Sequence, residues 1–201
     1  MNTILLCRSV TRVQKQRTIN HAGSLFQGSA RSNSAVALED PASNGLCNVE
    51  SSGEKGVGVY AGASIKKFTT ILKSRAVSSS SEKDKYSVQV SWDKHVQMDS
   101  PARLINHSCE ANVGVRDNEL GAYDFVALKD IDAGEELVWD YGSVEFDATE
   151  IKQCLCGSPS CRGGHINFED SHESIRKQYG NFYARYLHDW THEEGTSASK
   201  E

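Results

Sequence analysis

Three cysteines fall within eight residues, Cys154-Leu155-Cys156-Gly157-Ser158-Pro159-Ser160-Cys161, a Cys-x-Cys-x4-Cys spacing. In a chain with six cysteines and no secretory signal, that density reads as a metal site and not as disulfides. Zinc takes four ligands tetrahedrally, about 2.3 Å from each sulfur, so three local thiolates leave one position to be filled from elsewhere. A second cluster lies in Arg103–Asn112, RLINHSCEAN, where Asn106, His107, Ser108 and Cys109 stand side by side. Short polar side chains compete with the backbone for hydrogen bonds, so this stretch favours an irregular, side-chain-bonded loop. The apolar Leu104-Ile105 before it would bury one end. A third stretch, GAYDFVALKDIDAGEELVWDY, runs from Gly121 to Tyr141 and ends on two aromatic residues, Trp139 and Tyr141.

Strands must carry these groups. Gly56-Val57-Gly58-Val59-Tyr60-Ala61 places two glycines before an alternating run, a tight corner entering a strand. It is not a dinucleotide fingerprint, since the third glycine and the helix are missing. Residues 64–77 mix β-branched and basic residues and predict one or two strands, and the polar tract Ser78–Lys85 predicts a surface loop. From Tyr86 to Trp92 the alternation predicts a half-buried strand with Tyr86, Val88, Val90 and Trp92 on one face. Tyr123, Phe125 and Ala127 alternate as a strand; Asp132–Glu135 is a turn; Leu137, Trp139 and Tyr141 alternate again. Asp170 with Glu173 three residues on predicts a helix start, followed by an apolar stripe of Ile175, Tyr179, Phe182, Tyr183, Tyr186, Leu187 and Trp190 that packs back on the domain or serves as a partner-binding or channel-capping face.

The 201 residues carry a net charge of −5, split unevenly. Residues 1–38 hold Arg8, Arg12, Lys15, Arg17 and Arg31 and no acid, leaving −5 − 5 = −10 for the rest. A net-acidic body argues against non-specific DNA binding, which needs cationic side chains to neutralise phosphates, and suits a basic partner. No apolar run reaches 18 residues, so no membrane span is expected. The acid-free N-terminal stretch, rich in Arg and Ser, reads as an organelle transit peptide or as a disordered tail. Residues 39–55 read as a polar linker containing Cys47 as an inert passenger.

RLINHSCEAN is similar to the RFxNHSCxPN signature of SET-domain protein-lysine methyltransferases. GVGVYA resembles the G-W-G-V-x-A segment with which those domains open, and FVALKDIDAGEELVWDYG resembles xxFxAxRDIxxGEELTxDYG almost position for position. The resemblance covers about residues 53–166. It departs at Val57, where Trp is frequent, at Ala111, where Pro is usual, and over 62–100, where the family's Y-x-G-E turn has no counterpart. It implies a mostly-β SET fold of short strands with a pseudoknot, a zinc-bound post-SET loop and a C-terminal amphipathic helix. The expected division is a tail and linker at 1–52, the SET domain at 53–146, the post-SET segment at 150–166 and the helix at 167–192.

Function follows from the same resemblance. It implies S-adenosylmethionine held by Gly56, Val57, Gly58, Asn106, His107 and Tyr141, with Tyr141 as the catalytic tyrosine. Trp139 would limit how many methyl groups the lysine channel admits, and Tyr86 is similar to a tyrosine near that channel. Cys109 would complete a structural zinc site with Cys154, Cys156 and Cys161. The implied activity is methylation of a protein lysine, with a histone tail as the family's usual substrate, by a monomer in the nucleus or cytoplasm; the N-terminal stretch offers a mitochondrial or plastid alternative. Two other readings use the same motifs: an inactive SET module that binds chromatin or peptide, and a plain zinc-binding interaction domain.

Overall fold

Among the described residues, ten short strands, most of them rich in β-branched and aromatic residues, form three small sheets with one α-helix packed on them. The computed structural model describes residues 45–84, 86–147 and 151–191. The basic N-terminal segment, with its transit-peptide reading and Cys7, lies outside the described residues.

The first sheet has the order β1-β2-β10-β7, from β1 (Cys47–Ser51), β2 (Val57–Ala61), β7 (Asn106–His107) and β10 (Glu136–Trp139). β10 pairs antiparallel with β2 and parallel with β7, placing Val138 beside Asn106 and Trp139 beside His107. A strand late in the chain is thereby inserted between two earlier ones, and the Asn-His pair is fixed beside the aromatic end of the Gly121–Tyr141 stretch. The second sheet, β3-β9-β8, contains β3 (Thr70–Lys73), β8 (Val113–Asp117) and β9 (Tyr123–Ala127). All five β9 residues are buried, as a central strand requires. The third, β4-β6-β5, contains β4 (Ala76–Ser80), β5 (Val88–Ser91) and β6 (Lys94–Met98).

Several expectations are corrected. The polar linker contains β1, whose backbone pairs with β2 from Cys47↔Ala61 to Ser51↔Val57, and Cys47 is buried in the core. Part of the expected Ser78–Lys85 loop belongs to β4; its exposed side chains suit an edge strand whose backbone is satisfied by β6. Between 86 and 92 the strand is shorter, and its buried residue is Gln89, not the face with Tyr86 and Trp92, which are exposed. A polar network overrides the apolar alternation there. Gln89 N–H donates to Glu145 Oε1 (3.0 Å), Gln89 Oε1 accepts from Phe146 N–H (3.0 Å), and the Tyr123 hydroxyl donates to the Gln89 carbonyl.

The helix α1 (Phe168–Tyr179) begins earlier than expected and ends sooner. Asn167, not Asp170, is its cap: Asn167 Oδ1 accepts from Asp170 N–H (2.8 Å) while Asn167 Nδ2 donates to Asp170 Oδ2 (2.9 Å). The helix stops at Gly180, whose φ of 61° is cheap only for glycine. Beyond it Tyr183, Leu187 and Trp190 are buried, so the aromatic stripe covers the domain as a folded-back segment. The Ala184 N–H donates to the Ser143 carbonyl (2.9 Å), tying this segment to the turn that carries Tyr141.

Candidate active site and metal centre

Tyr141 lies just beyond β10, on the first residue of a 3-10 turn, Tyr141–Ser143, and not on the strand itself. Asp140 makes the turn, its Oδ1 accepting from Gly142 N–H (3.0 Å). The Tyr141 backbone N–H donates to His107 Nδ1 (3.2 Å). Because a backbone amide only donates, Nδ1 is bare and the ring proton sits on Nε2, facing Cys109 Sγ at 3.3 Å. Burial, then the nearby Arg162 charge, pushes the His107 pKa down to about 3, so the ring is neutral. The Tyr141 ring is flanked by His107 and Trp139, with centroids 5.2 and 5.1 Å away. Burial pushes the Tyr141 phenol up to about 12.

Two cavities meet at this tyrosine. One, of about 290 Å³, is lined by Tyr86, Ile105, Trp139, Tyr141, Val144 and Glu145 among others. The second, about 180 Å³, is lined by Lys55, Asn106, His107, Tyr141, Leu155 and Cys156 among others. Tyr141 and Ile151 are on both walls. The Tyr141 hydroxyl and the Trp139 indole N–H both donate to the Ile105 carbonyl, each at 3.1 Å, which engages both lone pairs of that oxygen. Tyr86 sits in the turn before β5, 66% exposed, at the wall of the larger cavity.

The glycine motif stands behind the smaller cavity. Val57 and Gly58 lie on β2, and Gly56 turns into it with φ 88°. The Val57 carbonyl accepts from Asn106 Nδ2 (3.0 Å), which also donates to Glu136 Oε1 (2.9 Å). Both amide protons of Asn106 are thus spent on the sheet side, leaving its Oδ1 as the free acceptor. Glu136 also accepts from Ser52 Oγ (2.6 Å) and pairs with Lys55. A Cβ on Gly58 would come within 2.7 Å of Glu136 Oε1 and 2.9 Å of Asn106 Nδ2, so only glycine leaves room for this cluster. Lys55 and Ser52 carried no sequence motif, whereas Glu136 belongs to the GEEL stretch but was given no role there.

Cys109, Cys154, Cys156 and Cys161 come together, their sulfurs all within 4.8 Å of one another. A tetrahedron with ~2.3 Å bonds has edges of roughly 3.8 Å, so a zinc ion fits with small adjustments. The donor set fits as well. Arg162 N–H points at Cys109 Sγ (3.4 Å) and Cys156 N–H at Cys154 Sγ (3.4 Å), the amide donors that thiolates take. Burial opposes ionisation of Cys156, yet hydrogen bonds from Ser158 and neighbouring groups bring it down to about 6. Burial pushes the Cys109 and Cys154 thiols up. A bound divalent cation would reverse that.

The metal cluster and the tyrosine turn are joined by a residue that follows the cysteine motif and to which the sequence assigned no role. Arg162, next to Cys161, donates to Asp140 Oδ1, and the Tyr179 hydroxyl of α1 donates to Asp140 Oδ2 (3.1 Å). Asp140 is 2% exposed. Burial pushes its carboxyl up, with the Arg162 guanidinium pulling it back.

The family model described as the SET domain matches residues 56–142. A stretch of 70 residues is 39% identical to the histone-lysine N-methyltransferase ash1 of Drosophila melanogaster, covering 33% of this chain and 3% of that one. Over 83 residues the chain is 36% identical to dim-5, the H3 lysine-9 specific histone-lysine N-methyltransferase of Neurospora crassa, covering 33% of this chain and 25% of that one. Over 66 residues it is 42% identical to the H3 lysine-4 specific histone-lysine N-methyltransferase of Saccharomyces cerevisiae, covering 31% and 6%. The chain thus spans a quarter or less of the length of these relatives. A crystal structure of KRYPTONITE in complex with mCHG DNA and SAH aligns at a TM-score of 0.46 and 22% identity, over 62% of this chain and 29% of that one.

Proposed function

From the premise that residues 56–142 are a SET domain, we propose that the chain is an S-adenosylmethionine-dependent protein-lysine N-methyltransferase acting on a histone or histone-like basic protein. The observation that carries it is Tyr141 on the shared wall of two cavities. One cavity suits the methyl donor, walled by Asn106, His107 and the cysteine segment; the other, apolar and aromatic, suits a lysine side chain. The donor supplies an activated methyl group when bound; everything else falls to the chain's own residues.

A lysine amine must be neutral to attack, and its ordinary pKa of about 10.4 keeps it protonated at neutral pH. The apolar wall of Ile105, Val144 and Trp139 disfavours the charged form and lowers that pKa. Tyr141 remains an un-ionised phenol, because burial holds its pKa near 12. It therefore orients groups through its hydroxyl and does not serve as a proton acceptor at neutral pH. Its rigid support is the His107 hydrogen bond and the Ile105 carbonyl. Alignment of reacting atoms at roughly 3 Å accounts for much of the rate in such a displacement. Asn106 Oδ1, fixed by the Val57 carbonyl and Glu136, offers an acceptor to a donor group of the cofactor.

The cysteine cluster is assigned structural zinc, all four positions being filled by thiolates, so no water is activated. Leu155 and Cys156 on the smaller cavity make cofactor binding depend on that metal. The histone-lysine methyltransferase names of its relatives favour a nuclear location for this chain. Calorimetry with S-adenosylmethionine on zinc-loaded protein, followed by methyl transfer to histones, tests the reading. Binding and transfer are expected, with transfer strongly slowed in Tyr141→Phe at unchanged binding. Equal transfer by Tyr141→Phe, or no cofactor binding by folded protein, would overturn it.

A further inference from the structure

Glu145 is 4% exposed, yet it lines the larger cavity together with Trp139 and Tyr141. Its Oε1 is used structurally, accepting the Gln89 N–H. Its Oε2 is buried without a hydrogen-bond donor among the described residues. What faces it is a charge: Lys83 Nζ lies 2.8 Å away, an ion pair approached off the hydrogen-bonding line. Lys83 lines the same cavity and also reaches Asp147 at 3.5 Å. A primary ammonium of this chain thus already rests against a carboxylate on the cavity wall.

Two other acceptors on that wall are already engaged. The Ile105 carbonyl takes both the Tyr141 hydroxyl and the Trp139 indole. Asp84 accepts from Tyr86 N–H (2.7 Å) and from Gln97 Nε2 (3.1 Å), and Arg103 adds a positive charge. A buried carboxylate with spare acceptor capacity is costly unless something cationic completes it.

We propose that Glu145 is the substrate-binding carboxylate for the acceptor lysine, and that Lys83 is an internal stand-in which the incoming ammonium displaces. The inference rests on the methyltransferase reading and names the step before the chemistry. The substrate lysine is admitted as a cation, paired to Glu145 Oε2. It then gives its proton to water as the side chain settles against the apolar wall beside Tyr141, and the neutral amine attacks. Lys83 and the substrate compete for one oxygen, so removing Lys83 helps binding and removing the Glu145 charge hurts it.

The experiment uses histone H3 and labelled S-adenosylmethionine with four proteins: the unaltered chain, Lys83→Met, Glu145→Gln and the double variant. Lys83→Met is expected to lower KM for H3 about fivefold with little change in kcat. Glu145→Gln is expected to raise KM about tenfold with cofactor affinity retained, and adding Lys83→Met to it is expected to do nothing further. Lys83 is outside the buried core cluster, so its variant remains informative if Glu145→Gln fails to fold. An unchanged or raised KM in Lys83→Met overturns the inference while leaving the methyltransferase standing. So does a benefit of Lys83→Met that persists in the double variant. If neither the unaltered chain nor Lys83→Met transfers methyl to any histone while both bind the cofactor, both readings fall.

Discussion

Two buried carboxylates bracket Tyr141 in sequence, Asp140 one residue before it and Glu145 four after, and they are treated differently. Every side of Asp140 is answered: Arg162 and Gly142 on one oxygen, the Tyr179 hydroxyl on the other. Glu145 is answered on one oxygen by a backbone amide and on the other only by the Lys83 ammonium. Both charges cost several kcal/mol to bury, and only complete pairing offsets that. A closed set of partners makes a joint; an open one facing a cavity makes a binding position. Asp140 ties three segments together, the tyrosine turn, the metal-binding segment and α1, whereas Glu145 leaves one valence of the wall unspoken for.

The largest effect should come from opening the closed set. Arg162→Met strands Asp140 and is expected to cost about 3–5 kcal/mol, the usual consequence of removing one partner of a buried pair. In a chain of this size that lowers the thermal midpoint by roughly 10 °C. Asp140→Asn added to it should recover part of the loss, and a midpoint unmoved in Arg162→Met would break the contrast. Chelating the metal comes next. Releasing Cys161 loosens the neighbouring Arg162, so hydrogen exchange should quicken in 106–112, 154–166 and α1, while the β4-β6-β5 sheet behind Glu145 stays protected. Uniform loss of protection would mean that the two carboxylates share one fate.

A smaller, pH-dependent effect separates the tyrosine from both acids. Tyr141 has a folded pKa near 12 against about 10 unfolded. Its burial therefore contributes stability that is intact below pH 10 and is lost as pH rises towards 12. Between pH 7 and 10 the phenol does not titrate, so a rise in methyl transfer reports the substrate amine, and Tyr141→Phe should show the same slope at a lower rate. A slope that vanishes in the variant would make Tyr141 the titrating group. Smallest is Trp139→Phe. It frees one lone pair of the Ile105 carbonyl and gives the acceptor ammonium a second oxygen. The KM penalty of Glu145→Gln should shrink by a few fold in that background, and the mono-, di- and trimethyl ratio should change. Identical product ratios would sink the role assigned to Trp139.

What the chain disclosed in one dimension followed residue type. Four cysteines, the Asn106-His107 pair and the aromatics of β10 have few innocent uses at that spacing, and they converge around Tyr141. Elements whose side chains do little were hidden. β1 and β4 are polar edge strands held through their backbones, and no periodicity announces the strand each one pairs with. Gln89 points inward because Glu145, Phe146 and Tyr123 await it, a fact of tertiary placement. The Asn167 cap was missed because Asp170 offered a similar signal three residues later. Arg162 and Glu145 were invisible for a simpler reason: a charged residue reads as surface until burial is known.

The position of β10 has a consequence in time. Its residues, 136–139, sit between β2 and β7, so those two strands are not joined in one sheet until those four residues arrive. During synthesis the N-terminal strands must wait with open edges through some eighty residues of chain, and the metal-binding cysteines come later still. Closure of such long loops is entropically slow, which sets a late nucleus and a folding rate at the sluggish end for a chain of this length. Premature contact between waiting strands of two nascent chains is the hazard this order creates, and the exposed serines of β4 are the kind of polar edge that guards against it.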